Sequence, residues 1–355
     1  MPHPFTSQRK IMPNSSSAMK PAASDQAREL YSRLLVCDMT SPFCAPADQR
    51  LKDAFVSRLI DEGFTFVSFT LVADNSDTIG AIQAIAAYRK FFLDQSDLCL
   101  LVNTVDDIHR ARNERKLAVG FHFQGSVPVG RDLSMVEVFY KLGIRHMLLA
   151  YNQKNFVADG CHELGEGGLS RFGRTLITEM NRVGMLVDVA HAGYRSCMEA
   201  IEYSDRPVIC SHGNIWNIHQ HPRCYRDDQI KAVAASGGVF GLTGLSIFTG
   251  DDDASPSKFA EQIDYIAQLV GPEHVGLGLD YIVDLPAITA DAAAHADKLP
   301  PEGGYTRSDM KQVELDAMPE VVDALLSKGY SDSDIGLVMG ENWLRVMKQV
   351  WKAPM

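Results

Sequence analysis

The sequence lacks paired cysteines and any long apolar run. Its seven cysteines lie at positions 37, 44, 99, 161, 197, 210 and 224 without a Cys-x-x-Cys pair, and an odd, scattered set is typical of reduced thiols in a reducing compartment. No apolar run approaches the roughly 20 residues that span a bilayer. The first 24 residues are polar and contain no apolar signal-peptide core. We therefore expect a cytoplasmic protein that does not associate with a membrane.

An excess of basic charge is also absent. Lysine and arginine together number 34 against 45 aspartate and glutamate residues, so the formal net charge is -11. Nucleic-acid binding depends on a basic field that displaces counterions from phosphates, and this composition does not supply one. We expect no nucleic-acid partner. Hydrophobic residues make up 46% of the chain, which is ordinary for a globular protein with a large core.

Short apolar runs alternate with amphipathic stretches along most of the chain. The runs are apolar on both faces, as expected for parallel strands that are covered on each side. About eight strand–helix units favour a closed barrel over an open sheet, and no Gly-x-Gly-x-x-Gly motif opens the first unit. The strand candidates are residues 34–38, 64–72, 98–102, 117–124, 144–151, 185–191, 206–212, 237–244 and 274–280.

The pattern predicts an α/β fold with a single (β/α)8 TIM-like barrel over residues 25–355, preceded by a flexible arm over residues 1–24. A stretch rich in Gly, Asp and Pro, about residues 281–315, follows the last strand. We expect it to form a loop over the barrel mouth. Residues 330–351 are expected to form two short helices that close the bottom or the side of the barrel.

Polar residues close several of the apolar strands. In a barrel of this type, reactive groups lie at the C-terminal ends of the strands. Two histidines on successive strand ends, with an aspartate on the last strand, can converge on one divalent cation, because imidazole and carboxylate are suitable zinc ligands. Such a cation lowers the pKa of a bound water and polarises a carbonyl. The strand-end residues are Asp38, Gln124, Tyr151, His191, His212 and Asp280.

Four segments of the chain resemble the renal (membrane) dipeptidase family of zinc metallopeptidases. They are GLSRFGRTLITEMNRVGMLVDVAH at 168–191, RPVICSHGNIWNIHQHPRCYRDDQIKAVAASGGVFGL at 206–242, HVGLGLD at 274–280 and SDSDIGLVMGENWLRV at 331–346. Together with their surroundings they cover most of residues 30–352 in the order of the family. The resemblance implies a zinc-dependent barrel of the metal-dependent hydrolase type that hydrolyses dipeptides, in many members as a homodimer.

The resemblance also assigns roles to individual residues. His191 and His212 match the family's two metal-binding histidines. Arg223, in HPRCYRDD, matches the arginine that binds the substrate carboxylate, and its planar fork suits bidentate recognition. Asp280 matches the acidic residue near the scissile bond that acts on the bound water and on the leaving amine.

The chain departs from the family pattern at the metal site. The family's first strand ends in Asp-Gly-His-Asn-Asp, whose histidine and last aspartate bind zinc, whereas residues 38–42 read Asp-Met-Thr-Ser-Pro. Those two ligands are therefore replaced by Thr40 and Pro42. The bridging glutamate is replaced by Gln124, whose neutral amide brings no charge to offset the repulsion between two cations. We expect no two-zinc site of the usual kind, and a single zinc ion instead.

Some other residues are weaker candidates for this site. Gln124 or Asp280 is a possible further ligand beside the two histidines, and Asp38 is a possible replacement for a lost one. His122 faces the same way as Gln124 at the strand period of two, but a packed histidine inside the barrel explains it better. Tyr151 replaces a histidine that contacts substrate in many members, and with Asn152 it is expected to bind the substrate.

These residues support one main functional prediction. It is a dipeptidase-like metallohydrolase that cleaves the peptide or amide C–N bond of a small carboxylate-bearing substrate, a dipeptide or amino-acid derivative. Two alternatives remain open. The barrel catalyses a non-hydrolytic reaction of a small molecule, or it is a catalytically silent binding protein.

Overall fold

Eight parallel strands close into a barrel in the computed structural model, which describes residues 23–42, 49–294, 299–300 and 303–352. The ring runs β1–β2–β4–β5–β6–β7–β9–β10 and returns to β1. Its strands are β1 (Cys37–Pro42), β2 (Phe66–Ala73), β4 (Leu117–Gln124), β5 (Ile144–Leu148), β6 (Leu186–Asp188), β7 (Val208–Ile215), β9 (Phe240–Leu242) and β10 (Val275–Leu277). The (β/α)8 barrel expected from the sequence is confirmed.

Two further strands extend the barrel sheet. The strand β3 (Cys99–Leu101) pairs with the first residues of β4, below the point where β5 joins it. The strand β8 (Cys224–Tyr225) pairs with the last residues of β7. All nine strand candidates thus form strands, although one of them, β3, lies outside the closed ring.

Helices connect most of the strands and surround the barrel. Several begin at a side-chain cap, as when Ser170 Oγ accepts from Gly173 N. Three end at a glycine in the left-handed conformation, Gly143, Gly184 and Gly250. They are α1 (Asp25–Arg33), α2 (Gln49–Asp61), α3 (Thr78–Asp94), α4 (Val105–Asn113), α5 (Ser134–Leu142), α6 (Arg171–Val183), α7 (Tyr194–Tyr203), α8 (Asp227–Ala235), α9 (Ser246–Thr249), α10 (Pro256–Val270), α11 (Leu285–Ala294), α12 (Met318–Ser327), α13 (Asp332–Gly336) and α14 (Asn342–Val350).

The end of the chain closes the bottom of the barrel. A π-helical turn, Leu337–Glu341, joins α13 to α14, so the two expected helices follow each other without a loop. Trp343 of α14 is fully buried among residues from the starts of the strands, and its Nε1 donates to Leu277 O at 3.0 Å. The polar strand ends are therefore left at the opposite face, where a site can form.

Two expectations fall partly outside the described residues. The arm was expected over residues 1–24, of which 1–22 are not described. Ala23 is buried and Ser24 caps α1, so these two residues belong to the barrel domain. The expected loop over 281–315 contains the helix α11.

Candidate active site

Two histidines meet at the C-terminal face of the barrel. His191 follows β6 and His212 lies within β7, and both side chains are buried. Their Nε2 atoms lie 3.0 Å apart. Burial lowers the pKa of each imidazole well below its usual value, and the neighbouring Arg223 lowers both further. Both rings are therefore neutral and able to offer a nitrogen lone pair.

The outer nitrogens of this pair have polar partners. Asn152 Oδ1 lies 2.6 Å from His191 Nδ1, and because an amide oxygen only accepts, Nδ1 carries the proton and Nε2 the lone pair. His212 Nδ1 contacts two hydroxyls, Ser211 Oγ at 2.7 Å and Thr40 Oγ1 at 3.1 Å. Such partners are typical of metal-binding histidines, which donate their second ring N–H to an oxygen.

Three residues of this face adopt the left-handed backbone conformation although none is glycine. Their φ angles are 60° at Asn152, 62° at His191 and 55° at Asp280. Non-glycine residues in this region store backbone strain, which persists only where the surroundings impose it and is common at functional sites. Each of the three residues follows the end of a barrel strand, β5, β6 or β10.

Arg223 provides a buried cation beside the histidines. Its side chain is 1% exposed, and Nη2 donates to His212 O at 3.2 Å. Nε and Nη1 have no hydrogen-bond partner among the described residues. Since an unpaired buried charge is costly, the two free donors favour an anion beside the guanidinium, and a carboxylate is such an anion.

Two carboxyl groups lie near the same mouth. Burial raises the pKa of Asp280 to about 6, although its side chain stays partly accessible and Arg223 opposes the shift. Burial also raises the pKa of Asp38 to about 7, against hydrogen bonds from Thr40 N and Leu279 N to Asp38 Oδ1. Asp280 is thus poised for proton transfer near neutral pH, whereas Asp38 ties β1 to the end of β10.

His122 lies inside the barrel with both ring nitrogens engaged. Nδ1 is 3.0 Å from Ser68 Oγ and Nε2 is 2.8 Å from Thr70 Oγ1. Its ring stacks on His146, with centroids 4.2 Å apart. His122 is thus placed as a packed interior histidine, the interpretation that the sequence favoured over a metal ligand. Gln124, at the end of the same strand, donates from Nε2 to the same hydroxyl, Thr70 Oγ1, at 2.9 Å.

The donors present fit one cation and do not fit two. Two imidazoles bound to one tetrahedral zinc have nitrogens about 3.3 Å apart, close to the observed separation of the histidine Nε2 atoms. Within the described ranges, no three His, Cys, Asp or Glu side chains form a metal-binding group. Thr40 and Pro42 add no ligand, so among the described residues the pair of histidines is the best-placed donor set for a metal.

The sequence did not indicate the groups that cover Arg223. His221 Nδ1 accepts from Arg223 N at 3.0 Å, and its Nε2 donates to Gly303 O at 3.1 Å. His162 Nε2 lies 2.8 Å from the hydroxyl of Tyr305. Residues 303–305 therefore cover the arginine, in agreement with the loop expected over the mouth. Spacing alone could not reveal this contact, because it joins segments more than 80 residues apart.

The comparison with protein families identifies the chain. Residues 55–297 match the model described as membrane dipeptidase, peptidase family M19. The chain belongs to the membrane dipeptidase family. This places it among dipeptidase-like hydrolases, as the resemblance of its segments implied.

Curated relatives agree with this assignment. A dipeptidase of Clonostachys rogersoniana, verJ, is 29% identical over 81% of this chain and 69% of its own length. An uncharacterized dipeptidase of Schizosaccharomyces pombe is 32% identical over 56% of this chain and 50% of its own length. For the second relative, this chain therefore matches half of the protein.

Solved structures share the fold. An amidohydrolase from Pseudomonas aeruginosa superposes with a TM-score of 0.82 at 29% identity, covering 92% of this chain and 99% of that one. A metallopeptidase from Rhodobacter sphaeroides, solved with a phosphinate mimic of the dipeptide L-Ala-D-Ala, has a TM-score of 0.73 at 16% identity over 90% of this chain and 99% of that one. Within the described part of this chain, no helix has the length and apolar character needed to cross a bilayer.

Proposed function

We propose that the protein is a dipeptidase-like metallohydrolase that cleaves the peptide or amide C–N bond of a small carboxylate-bearing substrate with a single zinc ion. The observation that carries this proposal is the pairing of His191 Nε2 with His212 Nε2 at 3.0 Å beside a buried arginine with two free donors. Paired nitrogen donors suit a zinc ion, and the arginine suits a carboxylate.

His191 and His212 would hold the ion, each oriented through its other ring nitrogen. When bound, zinc supplies a Lewis acid that polarises the scissile carbonyl and lowers the pKa of a water molecule. Arg223 binds the substrate carboxylate through its guanidinium group, which fixes the carbonyl beside the histidines. Binding energy from this remote group supports catalysis by orienting the reacting bond.

Asp280 acts as the general acid and base. With a pKa raised to about 6, it is mostly ionised at neutral pH and accepts a proton from the attacking water. The same carboxyl then donates that proton to the nitrogen of the leaving amine, which balances the hydrolysis of the C–N bond.

Tyr151 and Asn152 complete the proposed site. The Tyr151 ring stacks on His191, with centroids 4.2 Å apart and an interplanar angle of 26°, so it forms a wall beside the reacting centre and contacts the substrate there. Asn152 is fully buried, and its side chain orients His191. A direct contact between Asn152 and the substrate remains a prediction. Metal binding by Gln124, His122 or Asp38 also remains a prediction, because the hydrogen bonds described above already engage these side chains.

Metal content and hydrolysis test the proposal together. Protein purified without chelator is expected to carry about one zinc ion per chain by elemental mass spectrometry, and to release free amino acids from a panel of dipeptides. The variant Asp280→Asn should keep the zinc and lose at least about 100-fold in rate. No zinc even after supplementation would overturn the metal-dependent mechanism. Zinc without hydrolysis of any dipeptide would favour a non-hydrolytic reaction or a binding role.

We also propose a cytoplasmic homodimer whose partners are small-molecule substrates. The six cysteines that the structure describes, all except Cys44, are free thiols, as expected in a reducing compartment. The dimer rests on the family resemblance, and light scattering of the purified protein tests it.

A further inference from the structure

A single carboxylate oxygen connects the two segments that carry His191 and His212. Asp188, the last residue of β6, is fully buried, and its Oδ1 accepts from Ala190 N and from Ser211 N, each at 3.0 Å. Ala190 directly precedes His191, and Ser211 directly precedes His212. A backbone N–H can only donate, so both bonds have one possible direction. The oxygen therefore links the backbone immediately before each histidine.

The strand ladder stops one step short of the histidines, and the carboxylate replaces it there. The pairing of β6 with β7 ends at Asp188 and Ile209, and one backbone bond follows, from Val189 N to Ile209 O at 2.8 Å. The next bond of a parallel ladder would join Ser211 N to Val189 O. Val189 O instead accepts from the hydroxyl of Tyr225 at 2.5 Å, and Ser211 N donates to Asp188. The side chain thus continues the connection between the two strands.

The bond to Ala190 N also restrains the backbone at His191. The φ angle of His191 is 62°, a conformation that costs free energy and persists only where the surroundings impose it. Asp188 Oδ1 holds the start of this turn through Ala190 N, and Ala192 N closes it by donating to Val189 O at 3.1 Å. Loss of the carboxylate would release the first of these bonds, so the imidazole of His191 would no longer be fixed relative to β7.

The other carboxylate oxygen anchors Asp188 to a third strand. Its Oδ2 lies 3.0 Å from Nδ1 of His146, which is buried in β5. One proton between these two atoms is enough for a hydrogen bond, whichever group carries it. The carboxyl group is therefore held from both sides, and Oδ1 stays directed at the two N–H groups.

The same arrangement recurs at the end of β1. Asp38 Oδ1 accepts from Thr40 N at 3.1 Å and from Leu279 N at 2.9 Å, and Leu279 directly precedes Asp280. In both cases one oxygen accepts from the second residue after the aspartate. It also accepts from the residue before a site residue, on or just after the neighbouring strand. Asp38 and Asp188 thus join the strand ends that carry the polar residues of the site.

We propose that Asp188 is a positioning residue that sets the separation of His191 Nε2 and His212 Nε2, which is 3.0 Å. This inference rests on the proposed function, in which these two nitrogens hold the zinc ion. Because the same oxygen accepts from both segments, the position of each histidine is fixed relative to the other. A metal site needs this precision, since its donors must lie within about 0.5 Å of their working positions.

Zinc affinity and the separation of the two nitrogens test the proposal in one set of variants. Asp188→Ala removes the acceptor for both N–H groups. Its zinc affinity, measured by competition with a chromophoric chelator, should fall about 10- to 100-fold, as for other residues that orient metal ligands. In crystals of the metal-free variant, the Nε2 separation should widen by more than about 0.5 Å. Asp188→Asn keeps an oxygen that accepts from both groups and should recover most of the affinity.

The matched control is Asn342→Ala, at the opposite end of the barrel. Asn342 is fully buried, and its Nδ2 donates to Pro272 O and Val275 O, each at 2.8 Å. The control thus loses two buried bonds from a side chain to the backbone, as Asp188→Ala does, and should be destabilised without a change in zinc affinity or Nε2 separation. Asp188→Glu keeps the charge and displaces both oxygens by one methylene. It should also widen the separation, and it carries the test if Asp188→Ala does not fold.

The outcomes distinguish this role of Asp188 from the proposed function. An unchanged Nε2 separation in the metal-free Asp188→Ala, or an equal loss of zinc affinity in Asn342→Ala, would overturn the positioning role. A wild-type protein that binds no zinc would contradict the proposed function. A wider separation in metal-free Asp188→Ala than in metal-free wild type would support the positioning role even then.

Discussion

Thr40 Oγ1 lies 3.1 Å from His212 Nδ1, so β1 supports a histidine of β7 across the barrel mouth. At this position the resemblance to the dipeptidases predicted the loss of a metal ligand. The structure shows that the replacement contacts the outer nitrogen of a remaining histidine. In the family the residue at this position binds the metal directly, whereas in this chain Thr40 orients His212, a candidate metal ligand.

Removal of the Thr40 hydroxyl should therefore weaken zinc binding without abolishing it. Partners of this kind typically contribute 10- to 100-fold to metal affinity, and because Ser211 Oγ also contacts His212 Nδ1 at 2.7 Å, we expect a loss of about tenfold or less in Thr40→Val. Competition with a chromophoric chelator measures the affinity. Thr40→Ser should retain wild-type affinity, and an unchanged affinity in Thr40→Val would show that Ser211 alone orients the ring.

Restoring a carboxylate at position 124 should not restore a second metal ion. Gln124→Glu returns the charge that bridges two cations in the family, but Thr40 and Pro42 still provide no ligands for the second one. We expect the zinc content of Gln124→Glu to match that of the wild type by elemental mass spectrometry. A doubled zinc content would mean that a ligand from another part of the chain completes the site.

Much of this organisation could be predicted from the sequence. The nine apolar runs predicted nine of the ten strands in the described residues, because strands covered on both faces are distinct from amphipathic helices. The two-residue strand β8 was not predicted. The sequence could not show which of the predicted strands form the closed ring, since residues 98–102 have the same apolar pattern as the barrel strands. Only pairing shows that β3 lies outside the closed ring.

The residues of the site divide along similar lines. His191, His212 and Asp280 were predicted because they end apolar strands. The buried contact between His146 and Asp188 was missed, since each residue lies inside an apolar run and they meet only through the register of β5 against β6. Register between strands is not encoded in local spacing.

The substitution Arg223→Met should separate binding from stability. Loss of the guanidinium removes the carboxylate site, so KM for a dipeptide should rise at least about 100-fold. Within the described residues the guanidinium donates one hydrogen bond, from Nη2 to His212 O, and Nε and Nη1 have no partner, so the variant breaks no hydrogen-bonded ion pair. The free energy of unfolding should accordingly change by less than about 1–2 kcal/mol, measured by urea denaturation. A KM close to that of the wild type would contradict the assigned role.

The pH dependence of activity and of stability should both reflect Asp280. Its pKa is raised from 3.8 to about 6 in the folded protein. As a general base it must be ionised, so kcat/KM should fall as the pH decreases through about 6. Asp280→Asn should lack this dependence because its residual activity does not involve the carboxylate.

The effect of the Asp280 carboxyl on stability has the opposite sign. A carboxyl whose folded pKa lies above its unfolded pKa binds protons more tightly when folded, so its contribution to stability is lost as the pH rises from about 4 to 6. The free energy of unfolding of Asp280→Asn should therefore exceed that of the wild type more at pH 8 than at pH 4, in urea titrations at the two pH values. An equal difference at both would show that the carboxyl titrates normally, and the acid–base role would then lose its electrostatic basis.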